Sequence, residues 1–330
     1  MDEEGRVRMP SAPPGNGNPR DSESPGQAVE PLDRRSFLKF GALASFFCVG
    51  TGAALSPLRH WDSDVSVESF LQQHYSRLTP EQLDEILRRI EREVERRHGV
   101  KPRVQDLRPM DGVEYAYALN IGRCIGCRRC VHACMEENNS SRDPEIQYIR
   151  VLEMPKGTLN VERSNHYYDH EKVPAEGKYY MPVQCHQCGN PPCVKACPVR
   201  ATWKEPDGIV VVDYNWCIGC RYCEAACPYF ARRFNFAEPS IPKEDINTEM
   251  AYLGNRIRPR GVMEKCTFCL RRTRQGMYPA CAEACPAGAR QFGNILNPES
   301  EIRYILENKR VYIFKEDAGT APRFYYWFDV

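Results

Sequence analysis

Apolar residues recur at helical spacing most clearly at Leu83, Ile86, Leu87, Ile90 and Val94. The opposite face of the same stretch carries Arg88, Arg89, Glu91, Arg92, Glu93, Glu95, Arg96 and Arg97. Thr79-Pro80-Glu81-Gln82 supplies a cap, a proline at the first helical position and the last member of a capping box, and Gly99 supplies a stop. The pattern predicts one amphipathic helix between Thr79 and Gly99, packed by its apolar stripe on the body of the protein or used to dock another subunit. Elsewhere the runs are short. Tyr115–Asn120 and Gly208–Asp213 alternate or are β-branched, and each leads into cysteines; both read as strands, as do Arg310–Lys315 and Phe324–Phe328. Burial in a sheet is the expected use of Tyr325, Tyr326, Trp327 and Phe328, ahead of an exposed aromatic patch. With 26 prolines and 22 glycines, turns should be many and long helices few.

The N-terminal pattern is different. Residues 1–32 are rich in Pro, Gly, Asn, Ser and charge and are too polar to pack, so they are expected to be disordered. Residues 33–58 then carry Arg34-Arg35-Ser36-Phe37-Leu38-Lys39 followed by an uncharged run, Phe40 to Leu58, broken by Gly41, Gly50, Gly52 and Pro57. That is the pattern of a twin-arginine export signal, with small residues that permit cleavage after Ala54, and it predicts a periplasmic body. This route carries chains already folded. Cys48 lies inside the run as a spectator thiol, because bulky Phe46 and Phe47 stand where a lipoprotein signal has small residues. No stretch reaches the roughly 20 apolar residues of a membrane span. Residues 59–112 read as a helical lead-in, 113–315 as the main domain and 316–330 as an aromatic tail.

Composition adds limits. At 330 residues, 42% hydrophobic and 27% charged, the chain can bury an ordinary core. Its net charge of +1 gives no sign of a nucleic-acid surface.

The chemistry is in the cysteines. Sixteen of the 17 fall into four sets: Cys124, Cys127, Cys130, Cys134; Cys185, Cys188, Cys193, Cys197; Cys217, Cys220, Cys223, Cys227; and Cys266, Cys269, Cys281, Cys285. The first and third sets read C-x2-C-x2-C-x3-C, in which three cysteines hold one [4Fe–4S] cube and the fourth ligates a neighbouring cube. The other two keep the outer pairs and lengthen the middle gap. Proline follows the last cysteine in the second, third and fourth sets, at Pro198, Pro228 and Pro286, while Met135 takes that place in the first. Zinc uses two C-x2-C knuckles per site and has no use for four such sets. Disulfide scaffolds are mostly short, dense chains, unlike this one. Arg123-Cys124-Ile125-Gly126-Cys127 and Trp216-Cys217-Ile218-Gly219-Cys220 are near copies, so the chain carries an internal duplication. The segments 135–184 and 228–265 are too long for simple loops and should form hairpins or partner-facing lobes. His132 and His186 lie inside sets already complete in thiolates and are read as bystanders. Arg128, Arg129, Lys195, Arg221 and Lys265 adjoin ligands and are candidates for tuning potentials or steering a partner. The chain has no phosphate-binding glycine loop and no C-x-x-C-H haem site, so NAD, flavin and covalent haem are not expected.

The export pattern, the four sets and the runs Cys185-His186-Gln187-Cys188-Gly189-Asn190-Pro191-Pro192-Cys193, Asp207-Gly208-Ile209-Val210 and Glu264-Lys265-Cys266-Thr267-Phe268-Cys269 resemble a known family. It comprises the iron–sulfur subunits of molybdopterin oxidoreductases and quinone-linked complexes, such as those of DMSO, polysulfide and formate-linked nitrite reductases and of hydrogenase-2. The resemblance covers residues 113–315. It implies an α+β fold of duplicated bacterial dicluster ferredoxin-like modules with long insertions, short strands and many loops. It also implies that the first set pairs with the fourth and the second with the third. Cys124, Cys127, Cys130 and Cys285 would then hold one cube, and Cys266, Cys269, Cys281 and Cys134 the next. Cys185, Cys188, Cys193 and Cys227 would hold a third, and Cys217, Cys220, Cys223 and Cys197 a fourth. Four [4Fe–4S] clusters and no catalytic residue are expected. The implied role is electron transfer between a polytopic quinone-reactive membrane subunit and a molybdopterin or cytochrome c subunit, with the chain held at the membrane through its partner. A self-standing periplasmic polyferredoxin shuttle is the alternative.

Overall fold

The computed structural model describes residues 74–328. The export pattern and Cys48 lie outside the described residues. Helix α1 (Pro80–His98) begins and ends where its sequence signals stand. Thr79 Oγ1 accepts from the Gln82 N–H, the Gln82 side chain accepts from the Thr79 N–H at 2.9 Å, and Gly99 is left-handed at φ +67°. Leu83, Ile90 and Val94 are buried, so the apolar stripe faces the body. The Glu91 carboxylate accepts the Val104 N–H at 2.8 Å, tying the helix to the strand beneath it.

Twelve short strands run through the described residues. The first six are β1 (Arg103–Gln105), β2 (Tyr115–Asn120), β3 (Arg150–Pro155), β4 (Lys178–Val183), β5 (Thr202–Lys204) and β6 (Val210–Val212). The second six are β7 (Arg232–Phe234), β8 (Glu249–Ala251), β9 (Met263–Lys265), β10 (Arg290–Asn294), β11 (Val311–Tyr312) and β12 (Phe324–Trp327). The helices after α1 are α2 (Arg129–Glu137), α3 (Pro192–Lys195), α4 (Tyr222–Ala225), α5 (Leu270–Thr273), α6 (Ala280–Glu283) and α7 (Glu301–Asn308).

The pairing of the strands follows the cysteine sets. Strand β2 enters the first set and pairs antiparallel with β10, which leaves the fourth. Strand β3 leaves the first set and pairs with β4, which enters the second. Strands β5 and β6 join the second set to the third, and β7 and β9 join the third to the fourth. Every set is thus entered and left on antiparallel strands shared with its neighbours, and the succession closes on itself at β2 and β10. The two long segments contain the β3–β4 hairpin and the β7–β9 pair, with β8 lying parallel on β1.

The central sheet has the order β10, β2, β12, β11, with β12 parallel to β2. Strand β2 is buried along its whole length, which is why its residues are apolar on both faces. Tyr115, Tyr117 and Leu119 face the main core, while Ala116 and Ala118 pack with Ile302, Ile305 and Trp327. Small alanines let α7 lie close to the sheet. The aromatic run near the C-terminus is sheet core at Phe324, Tyr326 and Trp327 and opens to solvent at Phe328. Within the stretch read as an aromatic tail, Phe324–Trp327 form the sheet strand expected of them, parallel to β2. Two strands are shorter than their sequence suggests. Gly208 at φ +83° belongs to the turn before β6, and Lys315 at φ +55° turns the chain out of the line of β11.

Ile302 is fully buried against Ala116, Ala118 and Trp327. Its replacement by alanine should destabilise the protein by about 2 to 4 kcal/mol. The measurable consequence is a lower thermal midpoint of the purified protein with unchanged iron content at low temperature.

Candidate metal centres

Each set begins on a tight loop whose third residue is left-handed: Gly126 (φ +77°), Gln187 (φ +44°), Gly219 (φ +71°) and Phe268 (φ +53°). A turn of this kind gathers backbone N–H groups into a concavity suited to an anion or an iron–sulfur group. The Phe268 N–H donates to Cys266 Sγ at 3.4 Å, and the Gly126 and Gly219 N–H groups donate to Cys124 and Cys217. Glycine is required at two of these positions. A Cβ on Gly126 would lie 2.4 Å from the Tyr180 ring, and one on Gly219 would lie 2.2 Å from the Gly261 carbonyl oxygen. The later cysteines of the sets ride on short helices: Cys130 and Cys134 on α2, Cys193 on α3, Cys223 on α4 and Cys281 on α6. Four residues beyond the last cysteine, an alanine N–H returns to it. Ala289 donates to Cys285 Sγ at 3.4 Å, and Ala231 donates to Cys227.

Helices α2 and α6 pack together, as do α3 and α4. These contacts bring the first set against the fourth and the second against the third. Cys124, Cys127, Cys130 and Cys285 line one cavity. Cys185, Cys188, Cys193 and Cys227 line another. Cys134 lies among Cys266, Cys269 and Cys281, and Cys197 lies beside Cys217 and Cys223, whose loop also carries Cys220. Among the described residues no three His, Cys, Asp or Glu side chains converge on a single-ion site. The thiols surround cavities instead.

The electrostatics fit a cationic inorganic core. Burial pushes the thiols of Cys124, Cys188 and Cys266 up to about 12 and that of Cys223 up to about 11. A buried thiolate needs a positive partner, and iron supplies one. Two arginines complete the setting. Arg290 donates through Nη2 to Cys130 Sγ at 3.3 Å and through Nη1 to Gln184 Oε1 at 2.9 Å and Tyr117 Oη at 3.3 Å. Tyr117 Oη lies 3.3 Å from Cys281 Sγ. Arg232 faces Cys193 and Cys223 and donates through Nη2 to Thr202 Oγ1 at 3.0 Å. Its Nε and Nη1 are shut off from water with no hydrogen-bond partner. Such orphaned donors fit a site shaped around an additional anionic group.

The basic residues singled out from the sequence divide. Arg129 and Lys195 are exposed, Arg221 pairs with Glu224 at 2.8 Å, and Arg128 reaches Gln147. Lys265 is buried, donating to the carbonyls of Val210 and Cys266 and to Gln187 Oε1. His132 is exposed. His186 borders the second cavity, stacked on Tyr229 with ring centroids 3.9 Å apart, and burial pushes it down to about 3, so it is neutral. Sequence reasoning missed Arg232 and Arg290. Their signal was a repeat: Cys227-Pro228-Tyr229-Phe230-Ala231-Arg232 and Cys285-Pro286-Ala287-Gly288-Ala289-Arg290.

Thiols gathered in fours, two of the quartets lining cavities, with N–H groups turned on the sulfurs, define an iron–sulfur protein. Models of the 4Fe–4S dicluster domain match residues 123–201, 177–249 and 252–295. The chain is 35% identical to a selenate reductase subunit of Mesobacillus selenatarsenatis over 74% of its own length and 79% of that protein. It is 37% identical to the Hdr-like menaquinol oxidoreductase iron–sulfur subunit 1 of Archaeoglobus fulgidus, covering 64% and 82%. It is 36% identical to the iron–sulfur cluster-binding subunit of menaquinone reductase of Nitratidesulfovibrio vulgaris, covering 65% and 88%. The chain belongs to this family of 4Fe–4S dicluster iron–sulfur subunits.

Because Gly219 holds a left-handed turn with no room for a Cβ, Gly219→Ala should distort the loop of the third set. Iron and sulfide should fall by about one cluster per chain, with the remaining clusters retained. Metal analysis of the purified variant reads this directly.

Proposed function

We propose that this chain is the electron-transfer subunit of a respiratory oxidoreductase complex, carrying single electrons through four [4Fe–4S] clusters. The observation that carries this reading is the crossing of the sets. Cys285 closes the quartet of Cys124, Cys127 and Cys130, and Cys134 closes that of Cys266, Cys269 and Cys281. Cys227 closes the quartet of Cys185, Cys188 and Cys193, and Cys197 joins Cys217, Cys220 and Cys223. A bound cube supplies a one-electron carrier that changes oxidation state with little rearrangement. The chain's own residues hold the sulfurs, donate N–H groups to them and keep water away.

Contacts between quartets support a particular order. Arg290 and Tyr117 stand between the first-named quartet and the second. Cys266 of the second lies near Cys185 of the third, with Gln187 donating to the Cys266 carbonyl at 2.7 Å. Arg232 stands between the third and the fourth. Electrons would pass along this succession in either direction.

The relatives named as subunits of a menaquinol oxidoreductase and a menaquinone reductase support a quinone-reactive membrane subunit as one partner; a molybdopterin or cytochrome c subunit as the other is what the family resemblance implies. No helix among the described residues is long and apolar enough to cross a membrane. Attachment through the partner is part of the proposal, and the twin-arginine pattern at Arg34 and Arg35 supports the exported side.

Anaerobically purified protein should contain about sixteen iron and sixteen sulfide per chain, with interacting [4Fe–4S]+ signals during an EPR redox titration. Zinc without sulfide would overturn the proposal.

A further inference from the structure

Arg290 and Arg232 occupy matching places. Each is the first residue of the strand that leaves its set, five residues beyond the last cysteine. Both are buried, at 6% and 2% exposure. Among the described residues neither forms an ion pair with a carboxylate, and the groups bearing on their charge are thiols and, for Arg290, Tyr117. An unpaired buried guanidinium is costly, so an anion must be present in the working protein. For Arg290 the thiols are Cys130 of one quartet and, through Tyr117, Cys281 of the next. For Arg232 they are Cys193 and Cys223, again one from each quartet of a pair.

We propose that Arg290 and Arg232 are internal counter-cations, each shared by the two clusters of one pair and raising the reduction potential of both. This rests on the four-cluster reading above. A cube with four thiolates is anionic and gains a further negative charge on reduction. A fixed cation in a dry interior therefore favours the reduced form, and a hydrogen bond to sulfur acts in the same direction. Placement between two quartets also eases the repulsion a second electron meets when its neighbour is already reduced. Exposed Arg129, Lys195 and Arg221 lack this leverage, because water and salt screen them. Thr202 occupies the matching position after the second set and accepts from Arg232. These are positioning residues, acting through the ligand sulfurs.

The test is EPR-monitored redox titration of the full-length protein and its Arg290→Gln, Arg232→Gln, Arg290→Lys and Arg232→Lys variants, each first assayed for iron and sulfide. Arg290→Gln should lower two of the four one-electron steps, with at least a tenfold smaller reduced-to-oxidised ratio at fixed ambient potential, about 59 mV for one electron. Arg232→Gln should lower the other two, and lysine should recover much of each shift. Tyr117→Phe keeps the ring and removes only the hydroxyl, so it tests the link to Cys281 should Arg290→Gln assemble poorly. It should lower one step of the Arg290 pair. Fully loaded glutamine variants with wild-type potentials, or shifts spread evenly over all four steps, would overturn the proposal. So would an unshifted, fully loaded Tyr117→Phe, for the Arg290 pair. Wild-type protein without iron and sulfide would instead defeat the four-cluster reading itself.

Discussion

Each thiol quartet takes one sulfur from a set other than the one that supplies its first three. That constraint organises the molecule, because a quartet closes only when two distant stretches of chain are held side by side. Cys124 and Cys285 meet across much of the described sequence, and closing so long a loop carries a substantial entropic cost. The β2–β10 pair meets that cost with backbone hydrogen bonds in a fully buried strand, and β12 and α7 cover the pair on its remaining sides. The closure of Cys134 on Cys266, Cys269 and Cys281 is nearly as long and uses the same sheet with α2 packed on α6, whereas the two short closures between the second and third sets need only the two-stranded pair β5–β6. Sheet size thus follows the length of the loop being closed.

Charge is distributed by the same logic. Several buried or half-buried arginines have carboxylates at hand: Arg258 with Glu264 at 2.8 Å, Arg274 with Asp207 at 2.8 Å and Arg271 with Glu137 at 3.0 Å. Those pairs neutralise themselves and lock segments together, at a desolvation cost that limits their net contribution. Arg290 and Arg232 have no carboxylate partner among the described residues; thiols and, for Arg290, Tyr117 face their charge. The distinction between a structural arginine and one turned toward a redox centre is therefore visible as the presence or absence of a nearby carboxylate. A near-neutral overall charge conceals this.

What the sequence made legible was local. The capping box at Thr79, the stop at Gly99 and the limits of β2 depend on neighbours in the chain, and all three are found where the pattern places them. The cysteine sets were legible for the same reason. The left-handed turns at Gln187 and Phe268 were hidden, since only Gly126 and Gly219 advertise such a backbone by their residue type. The closed succession of strand pairs was hidden because it is non-local; the strand at Phe324 and its burial were legible, but not its place beside β2. Basic residues adjoining cysteines drew attention, but most face water. The two that reach sulfur stand five positions further on, where a strand, not a cysteine loop, aims them.

Exposure along the four quartets bears on how such a chain works. The quartet of Cys134, Cys266, Cys269 and Cys281 is buried at every member. Its neighbours are partly open, and the last quartet has an exposed sulfur at Cys220. Around that end stand Tyr222 and Phe236, each more than 60% exposed, with the Arg221 guanidinium 5.1 Å from the Phe236 ring. A fully enclosed centre has no direct access to an external redox partner and must exchange electrons through adjacent centres. An enclosed interior with accessible ends is the distribution a relay needs, since a partner must reach the ends and solvent must not reach the middle. The enclosure comes from α2 and α6 packed together beneath β2 and β10, so the strand pair that closes the longest loop also shields the most deeply buried sulfurs.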